Sequence, residues 1–222
     1  MTPNNIEIEG RRPLKVRNSI LMKNIARWLS RKNITPNQIS LFSIFFSACA
    51  AVCFLATSHC PTNLSYLYLV CAAVFIQCRL LCNLFDGMVA VEGGKGTLSG
   101  ELFNDIPDRI ADGLIFVSIG YAITIVPWAS SLGWLSAILA ILTAYIRTLA
   151  ASIGAPVSFL GPMAKQHRMA IVTIACLFAL VENYFFHQSY ALLLALIIII
   201  IGCIITVYRR IIFAYNFLEN NK

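Results

Sequence analysis

Long apolar runs separated by short polar connections make up most of this chain. Residues 33–78 contain no Lys, Arg, Asp or Glu, and a polar interruption at residues 58–63 divides the run in two. Because a helix needs about 20 apolar residues to cross the hydrocarbon core of a bilayer, the pattern predicts six membrane-spanning helices. Their predicted bounds are residues 39–57, 64–91, 101–126, 132–153, 169–184 and 189–208. The predicted fold class is an all-α, polytopic membrane protein.

The segment before the first span has a different pattern. In residues 13–33, apolar residues recur at helical spacing and basic residues occupy much of the remainder. A basic amphipathic helix is typical of the membrane surface, so we predict an interfacial helix here. We expect residues 1–12 to be a flexible N-terminus, residues 34–213 to form the membrane domain, and residues 214–222 to form a cytoplasmic tail.

Composition supports this fold class and changes the interpretation of the charge. Of the 222 residues, 59% are hydrophobic and 12% are charged, which is about half the charged fraction of a soluble domain. The net charge is +7, and 14 of the 17 basic residues lie in the N-terminal arm, the even-numbered connections and the C-terminal tail. The positive-inside rule therefore places both termini in the cytoplasm. An anionic bilayer, in a bacterial inner (plasma) membrane, is the expected partner of this basic face, and nucleic acid is not.

Polar and charged side chains inside the apolar runs are the strongest functional signal, because a charge at a helix centre costs about 2.5–3.5 kcal/mol to insert. The second span carries Arg79, Asn83 and Asp86 on one helical face. The third carries, within a narrow sector, Glu101, Asn104, Asp105, Asp108 and Asp112. The connection between these spans is short and rich in glycine, so we expect a helical hairpin in which the two faces converge.

Clustered carboxylates repel one another unless a cation or a proton lies between them. Oxygen ligands without His or Cys favour a hard divalent cation, such as Mg²⁺ or Mn²⁺. Two alternatives stay open at this point. The acids could be paired internally with Arg79 and Arg109, or they could line a path for protons or cations in a small cation-coupled transporter.

The spacing of these residues resembles the signature of the CDP-alcohol phosphotransferases, D-x2-D-G-x2-A-R-x8-G-x3-D-x3-D. Every spacing agrees in the corresponding run, Asn83-x2-Asp86-Gly87-x2-Ala90-Val91-x8-Gly100-x3-Asn104-x3-Asp108. The flanks are also similar to the family, at residues 34–40, Arg147, Gly161, Lys165 and Arg168. The resemblance therefore extends over most of the chain.

This resemblance implies a six-helix membrane enzyme of phospholipid biosynthesis, usually a homodimer. Such enzymes move a phosphatidyl group from CDP-diacylglycerol or a similar CDP-linked lipid to an alcohol, and CMP leaves. In the family, the first three aspartates of the signature hold two divalent metals. The resemblance further implies that Asp108 is the general base and that Gly87, Ala90 and Gly100 make room for the cytidine of the donor.

Three signature positions depart from the family pattern. Asn83 and Asn104 replace aspartates, and Val91 replaces an arginine. An amide oxygen can bind a hard cation but supplies no charge, so we predict that Glu101 or Asp105 replaces a missing ligand, or that one metal binds instead of two. The predicted metal ligands are Asn83, Asp86, Glu101, Asn104, Asp105 and Asp108.

Cationic residues near the same end are candidates for binding the acceptor or a phosphate. Arg147 and Arg168 carry guanidinium groups that match phosphate geometry, and Lys165 lies in the same region. Their alternative role is to snorkel and to mark the topology. Arg209 and Arg210 contribute to the positive charge of the C-terminal tail. Loss of two acidic signature positions also leaves a second function open, that of a catalytically degenerate relative which binds lipid or nucleotide or partners an active homologue.

Overall fold

The structure is a computed structural model that describes residues 19–97, 99–186 and 190–220. All regular secondary structure in these residues is helical, which confirms the predicted all-α class. The helices are α1 (Ile20–Arg31), α2 (Pro36–Thr57), α3 (Thr62–Glu92), α4 (Gly100–Ala122), α5 (Ala129–Ser152), α6 (Lys165–Phe186) and α7 (Tyr190–Asn220).

The six long helices close a ring. α2 packs against α3 and α4, α3 against α6, α6 against α7, α7 against α5, and α5 against α4. α4 and α5 approach closely where two glycines meet, since a Cβ atom on Gly120 would lie 2.9 Å from the Cα atom of Gly133. Small residues at such crossings let helix backbones pack tightly in an apolar environment.

The start of α2 is set by a capping box. The Thr35 side chain accepts a hydrogen bond from the Gln38 N–H at 3.3 Å, and the Gln38 side chain accepts one from the Thr35 N–H at 3.0 Å. Pro36 occupies the first turn, where its missing N–H costs nothing. These contacts start the helix three residues before the predicted position 39.

The predicted end of the third span is wrong by four residues. α4 ends at Ala122 rather than at residue 126, and Ile123 has an extended backbone. The four residues from Ile123 to Val126 all have β-branched side chains and precede Pro127. Branching at Cβ and a following proline both disfavour the helical conformation.

α6 and α7 are longer than the predicted spans. α6 starts at Lys165 instead of residue 169, which places Lys165 and Arg168 in its first turn. α7 continues to Asn220, past the predicted end at residue 208 and through most of the expected tail. The Glu182 carboxylate of α6 caps α7, because it accepts hydrogen bonds from the N–H groups of Tyr190 and Ala191 at 2.9 Å each.

α1 packs against α3 through a small cluster around Ala26. Its other face is apolar and open, since Ile20 and Trp28 are 76% and 56% exposed. This arrangement agrees with the predicted amphipathic pattern of the segment. Residues 1–18, which include the start of the predicted interfacial helix, lie outside the described residues.

Within the described residues, four helices are long and apolar enough to cross a membrane: α2, residues Leu64–Val91 of α3, α5 and α7. This property supports an integral membrane protein. In the same part of the chain, the other two ring helices, α4 and α6, do not meet this criterion. Crossing by all six helices therefore stays a prediction.

A buried ion-pair network joins three helices of the ring. Asp112 of α4 accepts a hydrogen bond from Arg79 of α3 at 2.7 Å and one from Arg168 of α6 at 2.6 Å. All three side chains are almost fully buried, at 0% exposure for Arg79 and Asp112 and 2% for Arg168. Since no bulk water reaches these groups, each charge depends on its partner. We call these three residues the Asp112 network.

Replacing Asp112 by Asn should destabilise the protein by about 3–5 kcal/mol, because two buried guanidinium groups lose their counter-charge. The measurement is thermal unfolding of the purified protein in detergent. The control is Asp105→Asn, which weakens a half-exposed ion pair and should cost about 1 kcal/mol or less. Equal unfolding midpoints for Asp112→Asn and the wild type would show that the network does not hold the ring together.

Candidate functional site

A cavity of about 770 Å³ lies at the end of the ring where α3 ends and α4 begins. Side chains from α3 to α7 and from the α5–α6 loop line it. Its charged lining residues are Asp86, Glu101, Asp105, Asp108, Arg109, Arg147, Lys165, Arg168 and Arg210. The acidic faces of the second and third spans therefore converge, as the short connection between them predicts.

Asp108 is held from three sides in this cavity. Its Oδ1 atom accepts a hydrogen bond from the Asn83 amide at 2.9 Å, and its Oδ2 atom contacts the Lys165 ammonium. Arg79 of the Asp112 network lies 3.5 Å from the same carboxylate. Asp108 is only 3% exposed, so these donors rather than water surround its carboxylate.

Asp86 faces the same cavity from α3. Its Oδ2 atom accepts a hydrogen bond from the Ser40 hydroxyl at 2.6 Å, and its Oδ1 atom accepts one from the Gly87 N–H. Its carboxylate also interacts electrostatically with Lys165 and Asp108. Ser40 belongs to the flank that resembles the family, but its contact with Asp86 could not be read from sequence spacing.

The groups around these two carboxylates could hold a divalent cation. In the described part of the chain, no three His, Cys, Asp or Glu side chains gather as a metal site. Asp86 and Asp108 share the cavity with the amides of Asn83 and Asn104. All four offer hard oxygen ligands, and the two carboxylates together offset the charge of a single divalent cation.

Asp105 contacts two arginines. Both of its carboxylate oxygens lie 3.0 Å from Arg147 Nη2, and Oδ1 lies 3.3 Å from Arg109 Nη2. Glu101 is exposed on the first turn of α4. The sequence left open the alternative that the acids pair with arginines of the chain itself. This alternative is correct for Asp105 and for Asp112, whose carboxylates both form ion pairs with arginines.

The predicted phosphate-binding residues reach the cavity with different partners. Arg168 forms an ion pair with Asp112, Arg147 forms one with Asp105, and Lys165 forms one with Asp108. Of the small residues expected near the donor, Gly87 lines the cavity. Ala90 and Gly100 are half-buried and stand outside its described lining.

Arg210 of α7 also lines the cavity, although the sequence assigns it only to the positive-inside pattern. It is 7% exposed, and its guanidinium donates to the backbone carbonyls of Leu160 and Thr143. These carbonyls supply no counter-charge. The sequence does contain a signal for this position. Gly202, Thr206 and Arg210 are spaced four residues apart in an apolar run, which places Arg210 on the same helix face as two small residues.

The α5–α6 loop forms one wall of the cavity because it is fastened to α7. Gly161 has φ +108°, and a Cβ atom there would lie 2.6 Å from Thr206, so a side chain is excluded on both grounds. The Met163 N–H donates to the Thr206 hydroxyl at 3.0 Å. The loop thereby holds Phe159 at the cavity, where its ring lies 5.7 Å from the Arg147 guanidinium.

Two curated relatives are similar to part of the chain. Phosphatidylinositol phosphate synthase of Corynebacterium glutamicum is 30% identical over 112 residues, which are 50% of this chain and 45% of that protein. The enzyme of the same name from Mycobacteroides abscessus is 26% identical over 119 residues, which are 54% of this chain and 47% of that protein. The matches thus span about half the length of these relatives.

Solved structures share the fold over most of the chain. Mycobacterium tuberculosis phosphatidylinositol phosphate synthase with CDP-DAG bound has a TM-score of 0.73 at 21% identity, covering 89% of this chain and 94% of that one. The same enzyme with manganese and citrate has a TM-score of 0.72 at 22% identity, covering 87% and 88%. The sequence profile of the CDP-alcohol phosphatidyltransferase family matches residues 33–208. This chain belongs to the CDP-alcohol phosphatidyltransferase family.

Proposed function

We propose that this protein transfers a phosphatidyl group from CDP-diacylglycerol, or a similar CDP-linked lipid, to an alcohol and releases CMP. The observation that carries this proposal is the meeting of Asp86, Asp108 and Lys165, from three helices, in one cavity. Family membership and the CDP-DAG bound to a protein of the same fold support a CDP-lipid as the donor.

All six ring helices cross the membrane in this proposal, with the cavity and both termini at the cytoplasmic side. The basic loop residue Lys95 and the basic helix α1 lie at the cavity end, as expected of a cytoplasmic side. The Lys95 ammonium donates a hydrogen bond to the Ser30 carbonyl of α1 at 2.6 Å. At the other end Tyr121, Trp128 and Trp134 are all more than half exposed, as expected of an aromatic belt. A homodimer in a bacterial inner membrane stays a prediction of the resemblance.

The transfer exchanges one P–O bond for another. The hydroxyl oxygen of the acceptor forms a bond to the phosphorus of the phosphatidyl group, and its proton passes to Asp108. The phosphoanhydride bond then breaks, and CMP leaves with the electron pair. For Asp108 to accept the proton, the Lys165 ammonium leaves Oδ2 for a phosphate of the bound donor, while Asn83 keeps the carboxylate oriented.

A divalent cation, Mg²⁺ or Mn²⁺, is held in this proposal by Asp86 and Asp108 with amide oxygens of Asn83 and Asn104. When bound, it would neutralise charge on the diphosphate and on the departing CMP. The exposed Glu101 is the remaining candidate for an additional ligand. Asp105 is the weaker candidate, since both of its oxygens already contact Arg147.

The acceptor is proposed to be a phosphorylated alcohol. In the described part of the chain, Arg210 lines the cavity, hydrogen-bonds to backbone carbonyls and is repelled by the charges of Arg109, Arg147 and Arg168. A cluster of guanidinium groups of this kind favours an anionic ligand. The relatives are named for a product with a second phosphate, phosphatidylinositol phosphate, which supports the same class of acceptor.

Asp108→Asn should lower the rate of CMP release from CDP-diacylglycerol at least about 100-fold, because the amide cannot take the acceptor proton. The assay uses purified protein in lipid nanodiscs with Mn²⁺ and a panel of plain and phosphorylated alcohols. Glu219→Gln, which removes one charge from the exposed end of α7, is the control and should keep wild-type activity. Unchanged turnover in Asp108→Asn would remove Asp108 from the role of base.

Restoring both aspartates in the double variant Asn83→Asp/Asn104→Asp should raise the number of bound Mn²⁺ ions from one to two per chain. The added carboxylates supply the charge that a second divalent cation needs. Isothermal titration of the metal-free protein with Mn²⁺ gives the stoichiometry.

The metal titration also separates the enzyme from a degenerate relative. Wild-type protein that binds no Mn²⁺ and releases no CMP, while the double variant does both, would show that the two asparagines have abolished catalysis. Two ions bound by the wild type would instead overturn the proposed single-metal site.

A further inference from the structure

We propose that Asp105 is a specificity-determining residue that acts as an internal anion. The Asp105 carboxylate occupies an anion site of the cavity that Arg109 and Arg147 form, and it keeps phosphate groups out of that site. The cavity then binds the phosphate of its substrate mainly at Lys165 and Arg210. This inference rests on the proposed function for the identity of that substrate, whereas the site itself rests on the contacts of Asp105.

The contacts of Asp105 are those that a bound oxyanion would make. Arg147 Nη2 lies 3.0 Å from both carboxylate oxygens, and Arg109 Nη2 lies 3.3 Å from one of them. Guanidinium groups recognise carboxylate and phosphate oxygens through the same N–H donors. The ring of Phe159 at 5.7 Å from Arg147 helps to hold this guanidinium in place. The site is therefore preformed and filled by the chain's own carboxylate.

Accessibility distinguishes this pair from the Asp112 network. The side chains of Asp105, Arg147 and Arg109 are 33%, 24% and 21% exposed, and all three line the cavity. A dissolved anion can reach the guanidinium groups of Arg109 and Arg147. The arginines of the Asp112 network are buried, at 0% exposure for Arg79 and 2% for Arg168. The Arg109–Arg147 pair is therefore a place where Asp105 and an incoming phosphate compete.

The local sequence gives an independent reason for this role. The family signature has an aspartate at position 104, where this chain has Asn104 followed by Asp105. A shift of one residue turns a side chain by about 100° around the helix. The carboxylate is thereby removed from the signature position, and in the structure it pairs with Arg147 of α5.

The test is titration of inorganic phosphate into the full-length protein in nanodiscs of zwitterionic lipid, without divalent metal and without CDP-lipid. Asp105→Asn should lower the Kd for phosphate about tenfold, which corresponds to one charge-assisted hydrogen bond. The matched control is Glu101→Gln, which removes the same charge from the same helix and the same cavity. It should change the Kd less than about twofold, since an exposed charge is screened.

The double variant Asp105→Asn/Arg147→Met locates the site and should return the Kd to the wild-type value. An equal gain from Asp105→Asn and Glu101→Gln would reduce the effect to net charge and overturn the proposal. A gain that persists without Arg147 would overturn it as well, because phosphate would then bind elsewhere. Thermal unfolding identifies any loss of folding in Asp105→Asn, in which case Asp105→Ser takes its place in the same titration.

Failure of this inference and failure of the proposed function give different results. The phosphate titration needs neither donor nor catalysis, so an inactive protein that shows the Arg147-dependent gain would support the role of Asp105 and refute the transferase. An active transferase without the gain would do the reverse. In an active protein, Asp105→Asn should also lower KM for phosphorylated alcohols relative to unphosphorylated ones, with little change in kcat.

Discussion

The two ion pairs of the Asp112 carboxylate are the interaction on which the functional end of the ring depends. It is shared by Arg79 of α3 and Arg168 of α6, and none of these groups has water to replace a lost partner. A buried ion-pair network does not by itself make a protein stable, but loss of one member leaves uncompensated charges. Arg79 also approaches Asp108, and Lys165 lies one turn before Arg168. The same network therefore positions Asp108, the proposed base, and the Lys165 ammonium that contacts it.

The acidic residues at this end have three different roles. Asp112 joins the helices, Asp105 pairs with arginines at the cavity surface, and Asp86 and Asp108 lie beside the amides of the variant signature. This distribution explains how a membrane chain can retain so many acids although two signature aspartates are absent. It agrees with the proposed site for one divalent cation, in which the Lys165 ammonium supplies positive charge next to the proposed base.

Several features of the fold and the site follow from the sequence because they depend on local periodicity. Apolar run lengths gave the number of long helices, and 100° steps placed the acids of α4 on one side. The capping residues Thr35 and Gln38 and the short α3–α4 connection acted in the same local way. The end of α4 was less accessible, since the β-branched residues before Pro127 have the hydropathy of a span and differ from it only in backbone preference.

The sequence by itself therefore determined the helical class, the hairpin with its signature spacing, and the family to which the chain belongs. Only the tertiary structure decided which partner each charge has. Asp105 and Asp112 share a helix face with Asp108, yet their partners Arg147 and Arg168 come from α5 and α6, far away in the chain. Arg210 enters the cavity only because α7 closes the ring beside α5 and α6. Helical periodicity fixes direction within one helix, whereas charge pairing depends on how separate helices pack, and no spacing along the chain encodes that.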